Sequence, residues 1–261
     1  MTDRPSGSAA DLPLVDRSPV VLPPLPAHQQ DAWSVLLDLD ERSEPWALVG
    51  GQMTLLHCLE NGVTGARPTD DGDVVLDVWS QRDAVRSIGR WLQDAQGFEL
   101  LKTSDGFGYR YTRGDTTLDL LVPEGLDRQR RQPPTTGGAR PALPIEGGNQ
   151  ALLRVERVPV QVGARTGHVR RPNLLGALVL KAAAFVGDSR DAQRHAQDIG
   201  FLMEAALVSG SLRSMDAQAS AHDRKRLRDA LRQLPQDHAC WRPRPEPESL
   251  YDAAVRLGAP R

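Results

Sequence analysis

The sequence predicts an α/β fold, with a central mixed sheet followed by a C-terminal helical region, on three observations. Between residues 46 and 79 a short apolar strand, a helix-length stretch and a second strand alternate. Three extended runs separated by turns follow at 98–122, and a hairpin pattern at 151–171. Beyond Pro172 the periodicity turns helical, opening with a nearly unbroken apolar run over 174–186. Strands and helices interleaved ahead of a run of helices describe a sheet covered by helices.

Taken in order, residues 1–27 are rich in Pro, Ser and Asp without periodicity, and read as a disordered leader. Ala32, Trp33, Val35, Leu36 and Leu39 mark one face of a first helix. Trp46-Ala47-Leu48-Val49 is a strand, 52–60 a helix and 73–79 the next strand. Ser80 and Asp83 have capping-box spacing, which predicts a helix burying Val85, Ile88, Trp91 and Leu92. The runs 98–102, 108–113 and 116–122 join at Ser104-Asp105-Gly106 and Arg113-Gly114-Asp115, as in a β-meander. A loop spans 125–150, and 151–163 with 167–171 forms a hairpin. Asn173 caps a helix over 174–186, and further helices are predicted at 189–208, 216–234 and 248–257. The expected divisions are a leader at 1–27, an α/β domain at 28–171 and a helical region at 172–261.

With 39% hydrophobic residues the chain can bury a core, while 20 prolines and a mean hydropathy of −0.43 predict sizeable polar loops. No apolar run approaches the roughly 18 residues of a transmembrane helix, and no secretory signal is visible. Cys58 and Cys240 stand far apart, outside any metal-ligand spacing, and read as thiols of a reducing cytoplasm. The six histidines make no zinc-binding pattern. Net charge is −2, yet between residues 128 and 171 nine arginines face only two acids, Glu146 and Glu156. Such a segment suits a phosphate backbone, and equally a solvated arginine-rich loop.

The chemistry gathers at Gly50-Gly51 and at Arg67-Pro68-Thr69-Asp70-Asp71-Gly72-Asp73. A strand that enters a helix through two glycines lets backbone N–H groups approach a phosphate closely. Alternate residues of a strand share a face, so Asp71 and Asp73 point the same way. A cation between them relieves their repulsion, and hydrated Mg²⁺ fits that place. The same residues also fit an ordinary polar turn before a buried strand. Asp119 is embedded in apolar residues, where a carboxylate is paired, protonated or metal-bound unless it faces solvent from an edge strand. Lys181 is the only charge in the 174–186 helix, and a buried ammonium needs an acid or a phosphate. Asp198 on the next helix is its natural partner if the two pack as a hairpin. A purely structural Lys–Asp bridge is the alternative.

At these residues the chain resembles the nucleotidyltransferases of the DNA polymerase β superfamily, and among them the AbiEii-type abortive-infection and toxin–antitoxin branch. That branch has a strand ending in Gly-Gly, a helix, and an Arg-x-Thr-x-Asp-x-Asp segment opening the next strand. Arg67, Thr69, Asp71 and Asp73 fall on this pattern in order. Gly72 departs from it, standing where an apolar residue is usual, as does Gln52, where a small or hydroxyl residue is common. The likeness covers about 46–200 and extends to Asp119, Lys181, Arg190 and Asp198.

The resemblance implies transfer of a nucleoside monophosphate from a nucleoside triphosphate, dependent on Mg²⁺ or Mn²⁺. Asp71, Asp73 and Asp119 would hold metal, with Lys181 and Asp198 joining them in catalysis. Gly50, Gly51, Arg67, Thr69 and Lys181 would bind the nucleotide. An RNA acceptor such as the 3′ end of tRNA, met by the 125–171 segment, is implied, with a cognate antitoxin, no membrane contact and a cytoplasmic location. The rival readings are a small-molecule nucleotidyltransferase of antibiotic type and a non-catalytic binding or regulatory protein on the same fold.

Overall fold

The computed structural model describes residues 12–66, 69–126, 134–136, 140–188 and 191–260. Strand β1 (Val20–Val21) and helix α1 (Ala27–Asp40) precede β2 (Trp46–Val49), whose four side chains are all buried. Helix α2 (Gly50–Glu60) follows directly, then β3 (Asp71–Leu76), α3 (Ala84–Asp94), β4 (Glu99–Leu100), β5 (Arg110–Arg113) and β6 (Thr116–Pro123). Next come β7 (Leu143–Ile145), α4 (Gly148–Leu152), β8 (Val155–Val162) and β9 (Arg165–Pro172). The helical region holds α5 (Leu174–Gly187), α6 (Ala192–Val208), α7 (Leu212–Gln218), α8 (Ala221–Leu231) and α9 (Pro247–Gly258).

The central sheet has the order β2-β3-β6-β5-β4, with β7 beside β6. β3 and β6 run parallel at its middle, while β2 on β3, β5 on β6 and β4 on β5 are antiparallel. This is the mixed sheet that the sequence predicts. Trp33, Leu36, Trp46, Leu48, Ile88 and Leu92 are among the side chains that fill the core around it. β1, β8 and β9 form a second, smaller sheet. α5 is apolar nearly all round and accordingly buried, with α4, α6 and α8 packed against it.

Several elements depart from expectation, each for a local reason. The part of the leader at 12–26 is docked rather than disordered: β1 pairs in parallel with Val160 and Gln161 of β8. The Val15 N–H donates to the Arg157 carbonyl, and the Arg157 N–H to that of Pro13. Val20 and Leu22 point inward while Val21 faces solvent, an alternation too short to register as a period among prolines. Residues 1–11 lie outside the described residues. Ser80 does not cap α3. Its hydroxyl donates to the Asp77 carbonyl, inside a turn whose Asp77 carboxylate accepts the Trp79 and Ser80 N–H groups, so the helix begins after Asp83. The helix expected at 216–234 is split into α7 and α8, because Ser220 and Asp223 form a reciprocal capping box that starts a new helix. Ala151 and Leu152 belong to α4, not to the hairpin. No helix among the described residues is long and apolar enough to cross a membrane.

Candidate active site

Parallel pairing of β3 with β6 sets Asp73 beside Asp119 and Asp71 beside Thr117. Strand alternation then turns Asp71, Asp73 and Asp119 to one face, and their carboxylate oxygens lie within 4.8 Å of one another. β2 passes into α2 at Gly50, which has φ +68° and approaches Asp73 so closely that a Cβ would lie 1.8 Å from Asp73 Oδ2. Only glycine fits on both counts. A Cβ on Gly51 would fall 2.2 Å from Thr69 Cγ2. The glycine pair therefore packs the start of α2 against the turn and strand that carry the acids. Gly50→Ala is expected to cost about 1–2 kcal/mol from backbone strain alone and to push Asp73 out of line with Asp119. Thermal unfolding and a divalent-metal titration check both effects. An unshifted melting temperature with intact metal binding would refute the packing argument.

Asp73 feels the charges of both other acids. Asp73 is partly exposed yet closely surrounded by protein atoms, and its pKa is pushed up to about 8. Burial is the main cause, followed by the charges of Asp71 and Asp119. Burial also raises Asp119, against the pull of Arg110. That arginine stands opposite Asp119 in the β5–β6 ladder and forks onto it, Nε to Oδ1 at 2.9 Å and Nη2 to Oδ2 at 2.6 Å. The same Nη2 lies 3.9 Å from Asp71 Oδ2. Hard oxygen donors that repel one another until a cation arrives fit a divalent ion such as Mg²⁺ or Mn²⁺.

Lys181, buried on α5, meets Asp198 of α6 at 2.6 Å. Its charge and that of Arg194 both pull the Asp73 pKa down, so the two cations act on the triad from the helical region. Burial, and then Lys181, hold His195 below the usual histidine range, and its Nδ1 is buried without a hydrogen-bond partner. Thr69 is buried, its hydroxyl donating to the Asp71 carbonyl at 3.2 Å, and so shapes the turn into β3. Gln52 also turns inward, accepting from Trp33 Nε1 and donating to the Thr69 carbonyl, which braces the same turn. Arg67 and Arg190 lie outside the described residues.

Six of the nine arginines between 128 and 171 lie among the described residues, and each has a partner within the protein. Arg154 pairs with Asp223, Arg157 and Arg170 with Asp40, Arg165 with Asp38, and Arg171 with Glu60 and Glu156. Arg140 donates to the Thr103 carbonyl. Each of these six arginines is engaged within the protein, Arg170 and Arg171 buried and Arg165 still exposed. Arg128, Arg130 and Arg131 lie outside the described residues. Most of the acids concerned stand far away in sequence, beyond the reach of a charge count confined to the segment. Two site residues escape the sequence reading, Arg110 and Arg194. The turn at Gly114-Asp115 pairs Arg113 with Thr116, and that register alone puts Arg110 opposite Asp119. Arg194 precedes Asp198 by four residues, one helical turn, on α6.

The sequence matches no family model and no curated protein. In three dimensions it has neighbours. An antigenic nucleotidyltransferase-like protein from Paracoccidioides brasiliensis superposes with a TM-score of 0.50 at 18% identity, over 88% of this chain and 95% of that one. This is a nucleotidyltransferase fold. The antibiotic-resistance factor ANT(2'')-Ia aligns with a TM-score of 0.40 at 17% identity, over 72% of this chain and 93% of its own. Here the nucleotidyltransferase fold carries its acids where the parallel strands β3 and β6 meet, and takes Lys181 from α5, so the candidate site draws on both sides of residue 171.

Proposed function

We propose that the protein is a metal-assisted nucleotidyltransferase that moves a nucleoside monophosphate from a nucleoside triphosphate to an acceptor hydroxyl. The observation that carries this reading is the Asp71–Asp73–Asp119 triad set against the glycine-opened start of α2. In the displacement the acceptor oxygen bonds to the α-phosphorus, the bond to the bridging oxygen breaks, and pyrophosphate leaves. Asp71, Asp73 and Asp119 would hold Mg²⁺ or Mn²⁺, which would supply charge neutralisation for the triphosphate. The N–H groups of Gly50 and Gly51 meet phosphate charge at the positive end of α2. Lys181 offsets charge on the leaving pyrophosphate, and Asp198 holds that lysine in place. A carboxylate of the triad takes the proton of the acceptor hydroxyl.

The AbiEii-type resemblance supports RNA, such as the tRNA 3′ end, as the acceptor and an antitoxin as a partner. The described arginines of the 125–171 segment are paired within the protein, which lessens the support that its charge lent to that acceptor. The rival acceptor is a small molecule of antibiotic type. A cavity of about 810 Å³ beside α5 lends it no support, because none of the triad residues lines it and its acids Glu124, Glu146 and Asp229 pair with Arg226 and Lys225. Incubation with Mg²⁺, each labelled nucleoside triphosphate in turn, and either total RNA or an aminoglycoside-type acceptor decides between them. Label on RNA establishes the first acceptor, and label on the small molecule the second. Triphosphate binding without transfer to either, unaltered by Asp71→Asn, would leave a non-catalytic binding protein.

A further inference from the structure

We infer that Arg110 is a resident cation of the triad, and that its guanidinium must leave Asp119 before the three carboxylates close on a divalent ion. The inference rests on the triad being a metal site. Both Asp119 oxygens accept from Arg110, at 2.9 and 2.6 Å, and Asp119 is only 4% exposed. An arginine that merely braced Asp119 would touch that residue alone. Here the nitrogen that donates to Asp119 Oδ2 also comes within 3.9 Å of Asp71 Oδ2, so the guanidinium reaches between two of the three acids. That is ground a metal ion needs. A single positive charge held there also repels a doubly charged ion approaching the same oxygens.

The side chain has room to leave. Arg110 is 35% exposed, and besides the two acids it has the face of Tyr109, whose ring centre lies 5.7 Å from the guanidinium carbon. Released from Asp119, a planar fork of N–H donors beside the site is matched to phosphate oxygens. The arginine therefore sets the metal affinity of the site while the carboxylates provide its ligands.

Titration of wild type, Arg110→Ala and Arg110→Lys with Mn²⁺, reading free Mn²⁺ by electron paramagnetic resonance, tests this without any turnover. Arg110→Ala is expected to bind Mn²⁺ on the order of tenfold more tightly than wild type, with Arg110→Lys between them because an ammonium lacks the fork. Removing a residue that only orients a metal ligand weakens binding by about 10–100-fold, so affinity that falls or stays the same in Arg110→Ala overturns the inference. No Mn²⁺ binding by any of the three proteins would sink the metal reading itself. If Arg110→Ala fails to fold, the wild type still answers. Its Arg110 Nε–H resonance, assigned by its loss in Arg110→Lys, should be protected from solvent exchange without metal and lose that protection as Mg²⁺ saturates. Protection that persists in Mg²⁺ would overturn the inference.

Discussion

Asp73→Asn is expected to lower nucleotidyl transfer by roughly a thousandfold or more while raising the melting temperature of the metal-free protein. Both effects have one cause. Asp73 stands where a metal would be held, and without one its carboxylate is opposed by burial first and then by the charges of Asp71 and Asp119. The Asp73 carboxyl holds its proton to about pH 8 in the fold, against an ordinary value of 3.8. Between these values the folded state binds more protons than the unfolded, so this group's contribution to stability falls as pH rises from about 4 to about 8. Asparagine carries no such penalty. In EDTA the melting temperature of the variant should pull ahead of wild type across that window, and saturating Mg²⁺ should narrow the gap. A gap that stays constant with pH would show that the fold does not oppose the Asp73 carboxylate.

Arg170→Met is expected to remove about 3–5 kcal/mol of stability, the range for breaking a buried ion pair by deleting one partner. Arg170 is wholly buried. It donates to Asp40 Oδ1 and to the carbonyls of Asp40, Arg42 and Glu44, and lies over the Trp46 ring at 5.3 Å. Methionine leaves three carbonyls without that donor and Asp40 with Arg157 alone. For a chain of this size the melting temperature should fall by roughly 10 °C. Arg165→Met is the contrast. Its pair with Asp38 is largely exposed, and its loss should cost no more than about 1 kcal/mol. Equal losses in the two variants would show that Arg170 is a surface arginine in effect, as the charge count alone suggests.

The parts of the site legible in the sequence are those with a local cause. Gly50-Gly51 ends a buried strand, Asp71 and Asp73 stand two apart, and Asp119 and Lys181 each place a charge in apolar surroundings. Each of these signals is complete within a few residues. The rest depends on partners far along the chain. The arginines at 154, 157, 165, 170 and 171 read as a basic patch because acids such as Asp38, Asp40, Glu60 and Asp223 are brought to them only by folding. β1 escapes notice for the same reason: two valines make a strand only when β8 stands beside them. Arg110 is an intermediate case, since the hairpin turn contains its register but the pairing must be carried three residues back along the strand.

Asp40 closes α1, yet Arg157 and Arg170, which neutralise it, follow more than a hundred residues later. On a ribosome adding about 5–20 residues per second, that acid leaves the exit tunnel several seconds or more before its cations. β1 waits as long for β8. The nascent chain therefore carries α1 and β1 unfinished while more than a hundred further residues are added. A ribosome stalled between these points holds a chain whose β1 and α1 have been translated and have nothing to close on.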